Sequence, residues 1–270
     1  MERREGRLRL VVKVGTSTLT HETGRLDLRS MERLARTLSD LEGMGHEVVL
    51  VSSGAIGIGT AKLGLKERPS QLRMKQAAAA VGQCMMMHLY DKMFGEYNRV
   101  VAQILLTGED VEAPVRAAHL HNTFESLLEL GVIPVVNEND SVSSAEIETG
   151  KCKVLGDNDT LSAMVARLCG ADLLVLLSDI DGLYDADPRT HPDARLIHHV
   201  EEVTPALRAM AGGAGSWRGT GGMATKLNAA ELALEAGIDM VITNGSRPEE
   251  LYRIVEGEEV GTRFHSGARS

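Results

Sequence analysis

Lys13 lies near the end of Leu8 to Val14, an apolar, β-branched run that closes in Gly15-Thr16-Ser17. A lysine inside such a strand must face an anion or leave a buried charge unpaired. Phosphate is a natural partner, and a structural carboxylate is the plainer alternative. Gly15 lets the backbone approach a ligand closely and can expose amide donors. The strongest Gly-rich feature is Gly219-Thr220-Gly221-Gly222-Met223-Ala224-Thr225-Lys226, which precedes a long helical run. The amides from Thr220 to Thr225 can cradle phosphate at a helix start, with Lys226 about one turn inside. This is not GxxxxGK[ST], and the chain has no GxGxxG, which weakens a dinucleotide-dehydrogenase reading. Gly156-Asp157-Asn158-Asp159 precedes another helix. One acid suffices as a cap. The second, Asp159, is available to orient the two lysines or to meet a magnesium-bound phosphate.

The elements that must position these residues alternate. Strands are expected at 8–14, 47–51, 99–106, 132–136, 172–177, 238–243 and 260–264. Helices are expected at 26–43, 69–94, 115–130, 159–168, 222–236 and 248–255. Apolar strands separated by helices predict an α/β fold with a largely parallel sheet covered on both faces. Gly131, Gly170 and Gly237 stand where helices should end. Segments 141–157 and 182–222 read as long loops, a length associated with function. One compact domain is the simplest organisation.

Ligands of open parallel sheets bind beyond the carboxyl ends of the strands. Those ends here carry Ser52-Ser53-Gly54-Ala55, Asn137-Glu138-Asn139-Asp140 and Ser178-Asp179-Ile180-Asp181-Gly182. Taken singly, each is as readily a turn. Ser52-Ser53 is either an anion-binding helix start or a plain serine N-cap. Together with Lys13 they concentrate polar chemistry at one rim.

Bulk properties exclude several classes. Of the 270 residues, 43% are hydrophobic and 25% charged, near globular averages and against disorder. A formal charge of −9 argues against nucleic acid and anionic membranes as partners. The three cysteines, Cys84, Cys152 and Cys169, form no CxxC pair. A reducing, cytoplasmic location fits them. The longest aliphatic run, Leu173 to Leu177, is too short to span a bilayer. His119 and His121 lie two apart on an expected helix and point apart, so metal ligation is disfavoured. Met85-Met86-Met87 reads as helix core.

In these segments the chain resembles the amino-acid kinase family, most closely its glutamate-phosphorylating branch. The matching pieces are Val11 to Ser17, Val51 to Ile56, Lys75-Gln76 with Gly82-Gln83, Ile133 to Asp140, Gly156 to Asp159, Ser178 to Tyr184 with Asp187 to Arg189, and Gly219 to Lys226. They keep the family's order across nearly the whole chain. The resemblance implies a three-layer αβα sandwich on a mainly parallel sheet of about eight strands. It implies an amino-acid lobe at about 1–170 and a nucleotide lobe at about 171–270. Glutamate would be held by Ser53, Gly54, Asn137, Asp140 and Asn158. ATP would be held by Lys13, Gly15, Ser178, Asp179 and the loop from Thr220 to Lys226, with Mg2+ bound mainly through its phosphates. Lys13, Lys226 and Asp159 would be catalytic. The family also implies homo-oligomers and feedback by proline. Two departures stand out. Many bacterial members carry a C-terminal PUA domain, and this chain is expected to lack one. His119 and His121 stand where Asn-x-Arg is usual, which bears on the glutamate or inhibitor site.

The implied reaction is transfer of a phosphoryl group from ATP to the γ-carboxylate of glutamate, the first step of proline biosynthesis. Its nucleophile has a pKa near 4.3 and is already ionised at neutral pH. No general base is required, and none is evident at the rim. Two anions must meet, so positive charge and positioning are the needs, which Lys13 and Lys226 suit. Asp140 is the candidate partner for the substrate ammonium. The acyl phosphate product is labile in water, which motivates a closing loop within 141–157. The competing readings are a kinase for acetylglutamate, aspartate, carbamate or a nucleoside monophosphate, and a non-catalytic nucleotide- or proline-binding regulator.

Overall fold

The strand carrying Lys13 is buried along its whole length, Arg9–Val14 (β1), and therefore belongs in the middle of a sheet. A computed structural model describes residues 6–21, 25–142, 157–188, 190–211 and 222–265. In chain order β1 is followed by α1 (Thr16–Leu19), α2 (Leu28–Gly43), β2 (Glu47–Val51), α3 (Ala55–Lys62) and α4 (Leu72–Gly95). Then come β3 (Val101–Leu106), α5 (Gly108–Glu112), α6 (Pro114–Glu129), β4 (Ile133–Glu138), α7 (Asn158–Leu168) and β5 (Leu173–Ser178). The remainder is β6 (Leu183–Tyr184), β7 (Leu196–Ile197), β8 (His199–Val200), α8 (Pro205–Ala211), α9 (Met223–Glu235), β9 (Asp239–Asn244), α10 (Glu250–Val255) and β10 (Thr262–Phe264).

Eight strands form one sheet in the order β3-β4-β2-β1-β5-β9-β10-β8. All neighbours are parallel except β9 and β10. Side chains alternate across a strand, and β1 divides accordingly. Val11 packs in a cluster with Phe124 of α6, Leu161 of α7 and Leu227 of α9. Leu10, Val12 and Val14 pack in the opposite cluster with Leu34 and Leu38 of α2, Tyr90 of α4 and Leu251 of α10. The expected αβα sandwich is thus the observed one.

The helices form for local reasons. In α2, Met31, Leu34, Ala35, Leu38 and Leu41 are buried at helical spacing, and Asp27 caps by accepting from the amides of Arg29 and Ser30. Leu38 is fully buried, so Leu38→Ala would cost about 2–5 kcal/mol. Gly131, Gly170 and Gly237 all adopt positive φ after their helices, at 70°, 60° and 72°.

Segment 182–222 differs from expectation. Its described part holds the antiparallel β6–β7 pair, the edge strand β8 and α8. Two-residue strands carry too little periodicity to register in a sequence. One contact is unusually close. A Cβ at Gly59 of α3 would lie 1.8 Å from the Ala78 carbonyl of α4, and one at Gly82 would lie 1.8 Å from the Ala55 carbonyl. Only glycine lets these two helices approach so far, and the approach holds α4 against the end of β2. Among the described residues no helix is long and apolar enough to cross a membrane.

Candidate active site

The parallel strands β1, β2, β4 and β5 deliver Lys13, Ser52, Asn137 and Ser178 to one rim. Helix α7 begins there and places two acids differently. Asp157 is the cap: its carboxylate accepts from the Thr160 amide at 2.7 Å and the Thr160 hydroxyl at 3.0 Å. Asp159, two residues further, is 1% exposed and faces the lysines. Lys13 Nζ lies 2.5 Å from its Oδ1, and Lys226 Nζ lies 3.3 Å from its Oδ2. Thr225 donates its hydroxyl to the same Oδ2 at 2.8 Å. Burial works to raise the Asp159 pKa, but the two ammonium groups and the Thr225 hydroxyl outweigh it and hold the carboxyl below the ordinary 3.8. One buried anion therefore carries two cations, leaving a net positive centre suited to phosphate.

Gly15 has φ −81°, so no left-handed turn demands a glycine. A Cβ there would meet Ser17 and Lys13 Nζ only at 3.7 and 3.8 Å, ordinary contact distances. Neither the backbone angle nor close packing requires glycine at this position, and its small size leaves space beside the Lys13 ammonium. At the neighbouring strand end the plain serine-cap reading fails. The N-cap of α3 is Gly54, at φ 102°, with no side-chain cap. Ser53 instead donates its hydroxyl to the Val14 carbonyl at 3.0 Å and tethers the loop to β1. Thr16 lies 3.4 Å from that hydroxyl.

A line of side-chain amides leads away from the charged centre. Asn158 Nδ2 donates to the Ser52 carbonyl and to Asn137 Oδ1, both at 3.1 Å. Asn137 Nδ2 donates to Gln83 Oε1 at 3.0 Å. Asp140 follows β4, half-buried, with its pKa raised by burial despite the nearby Arg68 charge. On the other side, Ser178 donates to Asp179 Oδ1 at 3.1 Å. Asp181 Oδ1 accepts from Asn244 and Arg247, each at 3.0 Å.

Lys13, Gly15, Ser53, Gly54, Asn137, Asn158, Asp159, Ser178, Thr225 and Lys226 thus share one rim, with Gly222, Met223 and Ala224 at the start of α9 beside it. Thr220 and Gly221, and most of the expected closing segment at 141–157, lie outside the described residues. Arg68, Gln83 and Asn244 were not singled out from sequence, and Asp181 was named only within the segment that ends β5. Gln83 left a trace, standing beside Gly82 in a family-like segment. His121 is far from this rim. Its Nδ1 is 2.9 Å from the Leu168 carbonyl, at the opposite end of α7 from Asp159, so it does not shape the amino-acid site. It lines an open cavity of about 890 Å³ at the other ends of the strands. The buried Arg9 there is already engaged by Glu47, Glu125 and the Cys169 carbonyl.

The Amino acid kinase family profile matches residues 8–244. The chain belongs to the amino acid kinase family. A glutamate 5-kinase of Clostridium perfringens is 56% identical over 256 residues, which is 95% of this chain and 94% of that protein. One from Listeria innocua is 52% identical over 258 residues, covering 96% and 93%. The structure of carbamate kinase from Giardia lamblia bound to AMP-PNP matches this amino acid kinase with a TM-score of 0.65 at 15% identity. That match covers 96% of this chain and 98% of the other, and shows the shared fold.

Proposed function

We propose that this kinase transfers the γ-phosphoryl group of ATP to the γ-carboxylate of L-glutamate, as a glutamate 5-kinase acting at the entry to proline biosynthesis. The observation that carries the reading is the Lys13–Asp159–Lys226 arrangement. It is supported by relatives of that name at more than half identity over nearly the full length.

The acceptor carboxylate needs no base, because it is ionised at neutral pH. The barrier arises from bringing it against a polyphosphate. Lys13 on β1 and Lys226 on α9 approach from different elements, and the phosphoryl group would pass between them. Such preorganised charge is worth about 3–4 kcal/mol per key group. Asp159 holds both lysines in place. Residues 222–226 would meet the nucleotide phosphates at the start of α9, with Ser178 and Asp179 beside them. Asp140 would pair with the substrate ammonium, and Ser53, Gly54, Asn137 and Asn158 would shape the amino-acid subsite. On this reading residues 1–170 form the amino-acid lobe and 171–270 the nucleotide lobe.

Among the described residues no three His, Cys, Asp or Glu side chains are grouped to hold a metal ion, and Asp159 is engaged by lysines. Mg2+ would therefore arrive on the nucleotide phosphates, near Asp179, and supply further neutralisation of the transferring group.

The test is ADP release with L-glutamate, N-acetylglutamate, aspartate, carbamate and UMP as acceptors. Turnover confined to glutamate supports the reading. Turnover on another acceptor, or on none, rejects it.

A further inference from the structure

Gln83 is 7% exposed, yet its Nε2 has no hydrogen-bond partner among the described residues. A buried amide donor left unpaired costs about 1–3 kcal/mol, so its survival calls for an explanation. Flipping the amide does not provide one. The Ser52 carbonyl can only accept, which fixes Asn158 Nδ2 toward it and toward Asn137. Asn137 Oδ1 then accepts that hydrogen bond, and its Nδ2 must donate to Gln83 Oε1. The chain of donors runs in one direction and ends in an NH2 group with no acceptor among the described residues.

The location narrows the ligand. The three amides begin at Asn158, next to the Asp159 that holds Lys13 and Lys226, and each hydrogen bond carries the line one side chain further away. Gln83 is thus at the end of the rim remote from the phosphate centre. Gly82 forces the placement: its contact with the Ala55 carbonyl brings α4 against the β2–α3 turn. A γ-carboxylate placed between the lysines leaves the opposite end of the same amino acid at this end of the line.

We propose that the Gln83 side-chain amide donates to the α-carboxylate of the acceptor and helps select amino acids with that group free. The inference rests on the amino-acid kinase reading given above. A neutral donor suits the role. It binds a carboxylate without drawing the γ-carboxylate away from the lysines, as an arginine there would.

The test compares L-glutamate with its α-amide (isoglutamine) on the wild type, Gln83→Glu and Gln83→Met. Gln83→Glu keeps an acceptor for Asn137 but replaces the donor with a negative charge. Its KM for glutamate should rise at least tenfold, with KM for ATP within twofold. The ratio of kcat/KM, glutamate over α-amide, should fall at least tenfold, because the introduced carboxylate repels one ligand and accepts from the other. Gln83→Met should lower the same ratio more modestly. A ratio taken within one preparation does not depend on the folded fraction. Unchanged ratios in both variants of an enzyme that phosphorylates glutamate would sink this inference alone. A wild type inert toward glutamate would sink the kinase reading with it.

Discussion

Lys13 and Lys226 approach opposite oxygens of one buried carboxylate, at 2.5 and 3.3 Å, although they stand on the first strand and the ninth helix. Two like charges are tolerable at that separation only because Asp159 lies between them. The same balance makes the centre responsive to any change in its anions.

Removing one cation should affect chemistry more than acceptor binding. For Lys226→Ala we expect kcat to fall by about 10²–10³, the size typical for a preorganised stabilising group. Glutamate should raise the melting temperature of the variant and of the wild type alike. Steady-state kinetics and thermal shift together check this, and near-normal turnover contradicts it.

Removing the shared anion should act on stability. Asp159→Asn leaves two buried ammonium groups without their counter-charge, a loss of about 3–5 kcal/mol by analogy with broken buried pairs. ATP brings its own negative charge to the pair, so the deficit in melting temperature should shrink when nucleotide is added. A deficit indifferent to ATP contradicts the assignment. The Asp159 pKa is lowered on folding, so its contribution is full above the ordinary value of 3.8 and is lost as pH falls through the lower folded value. Acid titration of wild type against Asp159→Asn should converge there.

Asp140 titrates in the other sense. Burial raises its pKa, so its ionisation costs stability as pH rises above the ordinary 3.8 through the folded value. The ionised form is the one able to hold an ammonium. Glutamate affinity should therefore weaken on acidification from a pH above the usual aspartate range, and Asp140→Asn should abolish that dependence. Asp140→Ala should raise KM for glutamate far more than KM for ATP. Equal effects on both substrates would contradict the role.

Gly82→Ala places a methyl group 1.8 Å from the Ala55 carbonyl. Overpacking of this kind costs about 1–3 kcal/mol. Because α3 carries the Gly54 turn on its front, KM for glutamate should rise along with the loss of melting temperature. Gly57→Ala on the same helix meets nothing within 4 Å and should leave both within error.

Much of this was legible beforehand because the informative residues break local rules. A lysine in an apolar strand and a second acid after a sufficient cap both needed partners, and the structure supplies each with the other. The strand ends were legible because parallel topology gathers them at one rim. Gln83 was hidden because a glutamine on a helix is unremarkable until its neighbours' hydrogen bonds are counted. Asn244 and Asp181 meet only through the pairing of β5 with β9, which no local pattern announces. The choice between a serine cap and an anion-binding helix start stayed open because a left-handed glycine, Gly54, ends one element and starts the next without any side-chain signal. The strands of segment 182–222 were too short for period-two alternation to register.

Arg9 sits at the far end of β1 from Lys13 and holds β2, α6 and the turn after α7 through Glu47, Glu125 and the Cys169 carbonyl, while Asp172 accepts from its amide at 2.7 Å. Such a staple makes the floor of the molecule stiff. Whatever adjustment admits substrates and releases the acyl phosphate is thereby left to the segments above the rim, so that a single strand is anchored at its base and reactive at its tip.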